Sequence, residues 1–174
     1  MNNDKFKSED DEFFFNLLQS KMDHHFHRKK VLNDKSANLL AFTGLILTFQ
    51  GSLGTFLVSS MNNIALLNKW LIIFLFMLPL ILYSVSLFFS IKSYKIDVWT
   101  YVPFAQDIVK DYKMNKNMHL YVNEYLDSYE YAFKENRIIL DKKAKNLVKS
   151  VTALQIGLYL TVFYIFLMCI FLIL

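Results

Sequence analysis

The sequence predicts an all-α membrane protein with three transmembrane helices and helical cytoplasmic extensions. Three uncharged stretches predict it: no Asp, Glu, Lys or Arg occurs between Lys35 and Lys69, between Lys69 and Lys92, or from Ser150 to Leu174. Composition agrees, with 55% hydrophobic residues and 17 phenylalanines among 174 residues, and it excludes a disordered chain. The one cysteine, Cys169, leaves no disulfide framework and no Cys-based zinc site. Four glycines and two prolines provide neither a glycine-rich phosphate loop nor a proline-rich linker.

A helix needs about 20 apolar residues to cross a hydrocarbon core of ~30 Å. The first uncharged stretch holds one span, 37–60, followed by a short polar turn at Met61-Asn62-Asn63. It starts too late, after a long charged segment, to read as a cleaved signal peptide. The second span, 70–91, completes a hairpin over 37–91, and residues 151–174 form the third span. Segments apolar on every face, such as Ile156 to Leu174, suit lipid and not a soluble core.

The cations at the span ends set the expected orientation. Arg28, Lys29, Lys30 and Lys35 precede span one, and only Lys69 lies between spans one and two. Lys92 and Lys95 follow span two, and Lys142, Lys143, Lys145 and Lys149 precede span three. The N-terminus and residues 92–150 are therefore expected inside, and the C-terminus outside, a multi-pass protein of the cell inner membrane. Arg28, Lys29, Lys30, Lys35, Lys142 and Lys143 are expected at the lipid headgroups. Trp70 suits an interfacial position, and so do Trp99 and Tyr101 unless they pack in the cytoplasmic part.

Residues 1–36 read as an amphipathic helix from about Asp11, with Phe14, Leu17, Leu18, Met22, Phe26 and Leu32 at three- and four-residue spacing. With no Pro or Gly between, it is expected to continue into span one. In the insert 92–150, Pro103 opens a short helix from Phe104 to about Lys113, and Met114 to Asn117 reads as a break. From His119 a long pattern returns at Tyr121, Tyr125, Tyr129, Ala132, Asn136, Ile139, Leu140 and Leu147, and runs into span three. Paired, the two long helices would make a cytoplasmic stalk.

The candidate functional residues lie mostly in span one. At about 100° per residue, Gly44, Thr48, Gly51, Ser52, Thr55 and Ser59 share one arc, and Thr43, Gln50 and Gly54 an adjacent one. Small residues let helices approach closely and hydroxyls bond across them, while polar side chains from several subunits can line a wet path. Thr43, Gly44, Thr48, Gln50, Gly51 and Thr55 are thus candidates for pore lining or helix packing, Gln50 as a ring in an oligomer. Pro79 frees the Leu75 carbonyl and is a candidate kink, structural or gating.

Elsewhere the residues give little chemistry. His24 and His27 share a helix face, a metal pair without a defined third ligand, so a solvated or headgroup-facing cluster is expected and no metal. No membrane-embedded acid or base supports an ion-coupled transporter, and no catalytic constellation, cofactor site or duplex-nucleic-acid surface is visible. The expectation is a non-enzyme without cofactors.

Two segments echo each other: Leu32-Asn33-Asp34-Lys35-Ser36-Ala37-Asn38-Leu39-Leu40 before span one, and Leu140-Asp141-Lys142-Lys143-Ala144-Lys145-Asn146-Leu147-Val148 before span three. Lysine reaching the phosphates and asparagine bonding between helices explain such a composition at two membrane entries. At Asn33 to Leu40 the chain resembles the SLATT and Pycsar-type small prokaryotic transmembrane effectors, including the channel effector of the Hailong system. Their D-K-A-x-x-L-L entry reads D-K-S-A-N-L-L here, and their Asn-rich helix before the last span is matched by Tyr131 to Lys149. The resemblance implies a homo-oligomeric effector of antiviral defence that depolarises the inner membrane. It also implies a trigger, a small signal molecule or oligonucleotide, bound by the cytoplasmic helices.

An oligomeric ion-conducting or membrane-permeabilising channel lined by span one is the expected function. A non-conducting membrane scaffold or accessory subunit is the alternative.

Overall fold

The computed structural model describes the backbone of residues 3–60, 66–95, 99–100 and 118–173. It describes the side chains of 16–17, 19–59, 69–95, 99–100 and 126–170. Three helices account for almost all of these residues, and there is no strand among them. They are α1, Asn3–Ser60; α2, Leu66–Tyr94; and α3, Met118–Ile173. Each holds a segment long and apolar enough to cross a membrane, within Gln19–Ser59, Lys69–Tyr94 and Leu126–Ile170.

α1 runs unbroken from the charged segment through span one, as the lack of a breaker predicts. It starts earlier than Asp11, because its first turns hold few apolar residues and leave no periodicity to read. α2 remains helical through Pro79. The Met61-Asn62-Asn63 turn, the Pro103 helix and the Met114–Asn117 break lie outside the described residues.

The chain divides into two units, residues 1–31 with 96–142 and residues 32–95 with 143–174. In the first, Met22 of α1 is buried with Tyr129 and Ala132 of α3, and Phe133 packs against them. Met22, Tyr129 and Ala132 are positions of the two apolar patterns, and Phe133 is not. Asn136, fully buried on the same α3 stripe, accepts from the Thr100 N–H (3.1 Å) and donates to the Thr100 carbonyl (2.9 Å). One amide thus satisfies both backbone groups of a residue outside regular structure. Trp99 is buried beside it, with the Phe26 ring 5.5 Å away and Lys29 Nζ 4.4 Å from its ring centre. Of its two expected settings, Trp99 therefore takes the packed one, while Trp70 is exposed. Arg28 pairs with Asp141 across the two helices at 3.3 Å.

His25 packs edge-on against Phe133 at 5.0 Å, and its buried Nδ1 meets no hydrogen-bonding partner. Burial first, then the nearby His24, Arg28 and Arg137, lower its pKa below 6.5, and Asp141 opposes them. A lowered pKa in the folded state means that the unfolded chain binds more protons as pH falls. The stabilisation is complete above about pH 6.5 and is lost on acidification through the folded-state pKa. Thermal unfolding followed by circular dichroism should therefore show a midpoint that falls between pH 7 and pH 5. His25→Phe, which keeps the ring contact, should flatten that slope.

The second unit carries the three apolar segments. Leu57, Ile72 and Tyr164 are buried together, with Leu75, Phe76, Ile165 and Met168 around them. Ala153, Leu154 and Pro79 are buried as well, and most of the remaining buried residues carry polar groups, among them Ser36, Thr43, Gln50, Ser86, Ser90, Ser93, Lys143, Ser150 and Thr161.

Candidate functional site

The faces of span one are assigned by which of its polar residues turn inward. Ser36, Thr43 and Gln50 are fully buried and Leu57 is 4% exposed. These four residues recur every seven positions and form one seam along α1. Thr48, Gly51, Ser52, Thr55 and Ser59 are exposed and Gly44 is half-buried, so the arc of glycines and hydroxyls from Gly44 to Ser59 faces away from the unit.

α2 presents a matching inward seam: Ile72, Pro79, Tyr83, Ser86, Ser90 and Ser93 are all buried, at spacings of seven, four and three. α3 answers with Lys143, Ser150, Gly157, Thr161 and Tyr164. Small residues on these faces let the backbones come close, the means by which helices associate where lipid supplies no hydrophobic drive. The Ser86 hydroxyl donates to the Ser150 carbonyl at 3.0 Å, and the Ser150 hydroxyl to the Ser86 carbonyl at 2.6 Å. Ser90 places its hydroxyl 2.6 Å from that of Ser150. Five polar groups of two helices thus satisfy one another with no charge.

Lys143 closes one end of this seam. It is only 2% exposed. Its Nζ donates to the carbonyls of Ser93 (3.0 Å) and Lys95 (2.8 Å) and to Asn33 Oδ1 (3.3 Å). A cation at the carboxyl end of a helix meets the negative end of its dipole and satisfies carbonyls without an intrahelical partner; here these are Ser93 in the last turn of α2 and Lys95 just past it. Ser36 lies 2.9 Å from the Ser93 hydroxyl, which donates to the Lys143 carbonyl at 3.0 Å. The two echoing segments therefore meet at the end of α2, Asn33 and Ser36 from one and Lys143 from the other. Lys143, expected at the headgroups, serves this inward cap, whereas Lys30, Lys35 and Lys142 are exposed. Arg28 is in its ion pair and Lys29 lies over Trp99.

At the other end of the polar seam, Tyr83 and Thr161 share a hydrogen bond of 2.7 Å, and the Thr161 hydroxyl lies 3.4 Å from Gln50 Oε1. Gln50 Nε2 is buried and donates to no protein acceptor. Gln50 and Thr43 are thus interior groups of the single subunit, and Gln50 does not present itself for a ring between subunits. Thr43 bonds the Leu39 carbonyl of its own helix at 2.7 Å. Pro79 faces the same interior.

The outward arc has a different chemistry. Thr48, Ser52, Thr55 and Ser59 donate to carbonyls three or four residues earlier in α1, at 2.7–3.2 Å. Each hydroxyl proton is taken, and each oxygen keeps acceptor capacity. A Cβ added at Gly44 or Gly51 would meet nothing within 4 Å. This arc is open, small and acceptor-rich along the whole span.

His24 and His27 are exposed, and no group of three metal-ligating side chains occurs among the described residues. The buried serines Ser36, Ser90, Ser93 and Ser150 lie outside the residues that apolar patterning and the span-one arcs point to. The signal was there, in seven-residue recurrence, but the recurring residues are small and polar. Comparison with protein-family models, curated proteins and solved structures gives no match for this chain.

Two predictions follow from this packing. Gly157 lies against Tyr83, where an added Cβ would come within 2.6 Å of the ring. Gly157→Ala should cost about 1–3 kcal/mol in reversible unfolding in detergent, while Gly51→Ala, which replaces a mid-helix glycine in open space, should cost nothing and add up to about 1 kcal/mol of stability. Ser150→Ala removes the hydroxyl shared by Ser86 and Ser90 and should cost about 1 kcal/mol in the same assay.

Proposed function

We propose that the chain assembles into a homo-oligomer with the outward arc of α1 around a common axis, forming an ion-conducting path across the membrane. The observation that carries this reading is the exposure of Thr48, Gly51, Ser52 and Thr55 on a spanning helix whose opposite polar seam is already used. Hydroxyl oxygens with spare acceptor capacity and no fixed charge suit the transient coordination of cations or water along a path. The lysine distribution supports an N-terminus and a 92–150 segment inside the cell and a C-terminus outside. The resemblance to small prokaryotic transmembrane effectors supports the physiological setting, depolarisation of the inner membrane in antiviral defence. The unit built from residues 1–31 and 96–142 is then the receiver of the trigger, a small signal molecule or oligonucleotide.

A second reading has its own observation. The open space at Gly44 and Gly51 suits dry, close packing of helices. A scaffold would bury the same arc and conduct nothing.

The test is ion flux from liposomes carrying the protein with Cys169→Ser, into which Thr48→Cys or Ser52→Cys is introduced. The channel reading predicts flux that falls at least about tenfold when a water-soluble thiol reagent modifies either position, with Gln50→Leu within twofold of the parent. Ion-tight liposomes containing assembled oligomers, under the conditions that activate the protein in cells, would support the scaffold and end the channel reading.

A further inference from the structure

Along the outward side of α2 runs a groove of about 470 Å³, lined by Met77, Ile81, Ser84, Val85, Phe88 and Phe89. It ends at the rings of Phe88 and Phe89, which meet edge to face with centres 5.5 Å apart. Each ring carries an ammonium: Lys92 Nζ lies 6.0 Å from the centre of Phe88, and Lys149 Nζ 5.3 Å from that of Phe89. Both lysines are exposed, and the ion pairs among the described residues, Arg28–Asp141 and Arg137–Asp141, involve neither. In the sequence of this unit, residues 32–95 and 143–174, Asp34 is the only acid.

The dimensions and the charge point to one class of ligand. From Met77 to Phe88 the helix advances about 16 Å at 1.5 Å per residue, roughly one leaflet of a ~30 Å hydrocarbon core. An apolar trough of that length suits an acyl chain, and two ammonium groups over the neighbouring rings at one end have the charge to attract a phosphate. Lysines near a membrane surface attract anionic lipids while their stems lie on apolar neighbours. We propose that this groove binds an anionic phospholipid, with one acyl chain along α2 and the phosphate held by Lys92 and Lys149. The site requires only that the unit lies in lipid; it does not require conduction. A second groove, of about 360 Å³ with Lys35 and Asn38 at its rim, offers a single ammonium and is a weaker match.

The full chain in detergent, titrated with phosphatidylglycerol or with phosphatidylcholine of the same acyl chains and read by native mass spectrometry, tests the site. The expected result is retention of one phosphatidylglycerol at about tenfold lower concentration than phosphatidylcholine, as two lysines at a membrane surface imply. Lys92→Gln with Lys149→Gln should abolish the preference, and Lys92→Arg with Lys149→Arg should keep it. Ser84→Trp fills the groove, leaves both lysines in place, and should weaken binding of both lipids. Equal binding of the two lipids, or a preference that survives the double Gln variant, would overturn the proposal. Displacement of the lipid by free glycerol phosphate at equal concentration would also overturn it, by showing an anion site without a chain. A Ser84→Trp variant that changes the oligomer mass would assign the groove to a second copy instead. Because the readout is a bound mass and not a flux, its failure is distinct from failure of the channel reading.

Discussion

Inside lipid, polar groups find no water and helices gain nothing from merely hiding apolar surface, so the polar and small residues decide which faces meet. This constraint organises the unit built from residues 32–95 and 143–174. The serines of α2 at positions 86, 90 and 93, with Ser36 and Ser150 opposite, bind helix to helix through hydroxyl and carbonyl groups. Lys143 closes the seam on the carbonyls of Ser93 and Lys95 at the carboxyl end of α2. Because that seam takes Ser36, Thr43, Gln50 and Leu57, the glycine and hydroxyl arc of α1 is left to face outward.

Two polar arcs on one helix therefore have separate roles. The inward arc belongs to the fold, and its most polar member, Gln50, accepts through Oε1 from Thr161, which is hydrogen-bonded in turn to Tyr83. The outward arc makes no hydrogen bond through its hydroxyls to α2 or α3 among the described residues. Its hydroxyls are satisfied by their own backbone, which makes it tolerable in lipid but leaves it unexplained by the packing of one subunit. The glycines divide in the same way: Gly157 is fitted to Tyr83, while Gly44 and Gly51 border open space. In the proposed assembly this is the face at which copies would meet, because small residues permit close approach of helices.

The architecture was legible in the sequence because charge is absent from three long stretches, a signal that survives without any knowledge of packing. The continuity of α1 was legible for a comparable reason, since nothing between Arg28 and Thr43 can stop a helix. The inward seam was not seen, although it repeats strictly at positions 36, 43, 50 and 57. In a membrane helix every face is apolar, so apolar periodicity carries no information and the informative residues are the small and polar ones. Lys143 shows the same blind spot. A lysine before a span reads as a headgroup contact, and only the position of the α2 carboxyl end reveals an inward cap. Trp99 and Asn136 depended on a contact 36 residues apart, between Asn136 and Thr100, which no local pattern records.

The claim on which the functional account stands is that the outward arc of α1 faces other copies. Spin labels placed singly at Thr48→Cys and at Phe49→Cys, in a Cys169→Ser background, sit at the same depth on different sides of α1. Pulsed dipolar spectroscopy of the reconstituted protein would then give the separations between copies. The account predicts distinctly shorter distances for labels at position 48 than at position 49. Shorter distances at position 49, or no dipolar coupling at either, would contradict it.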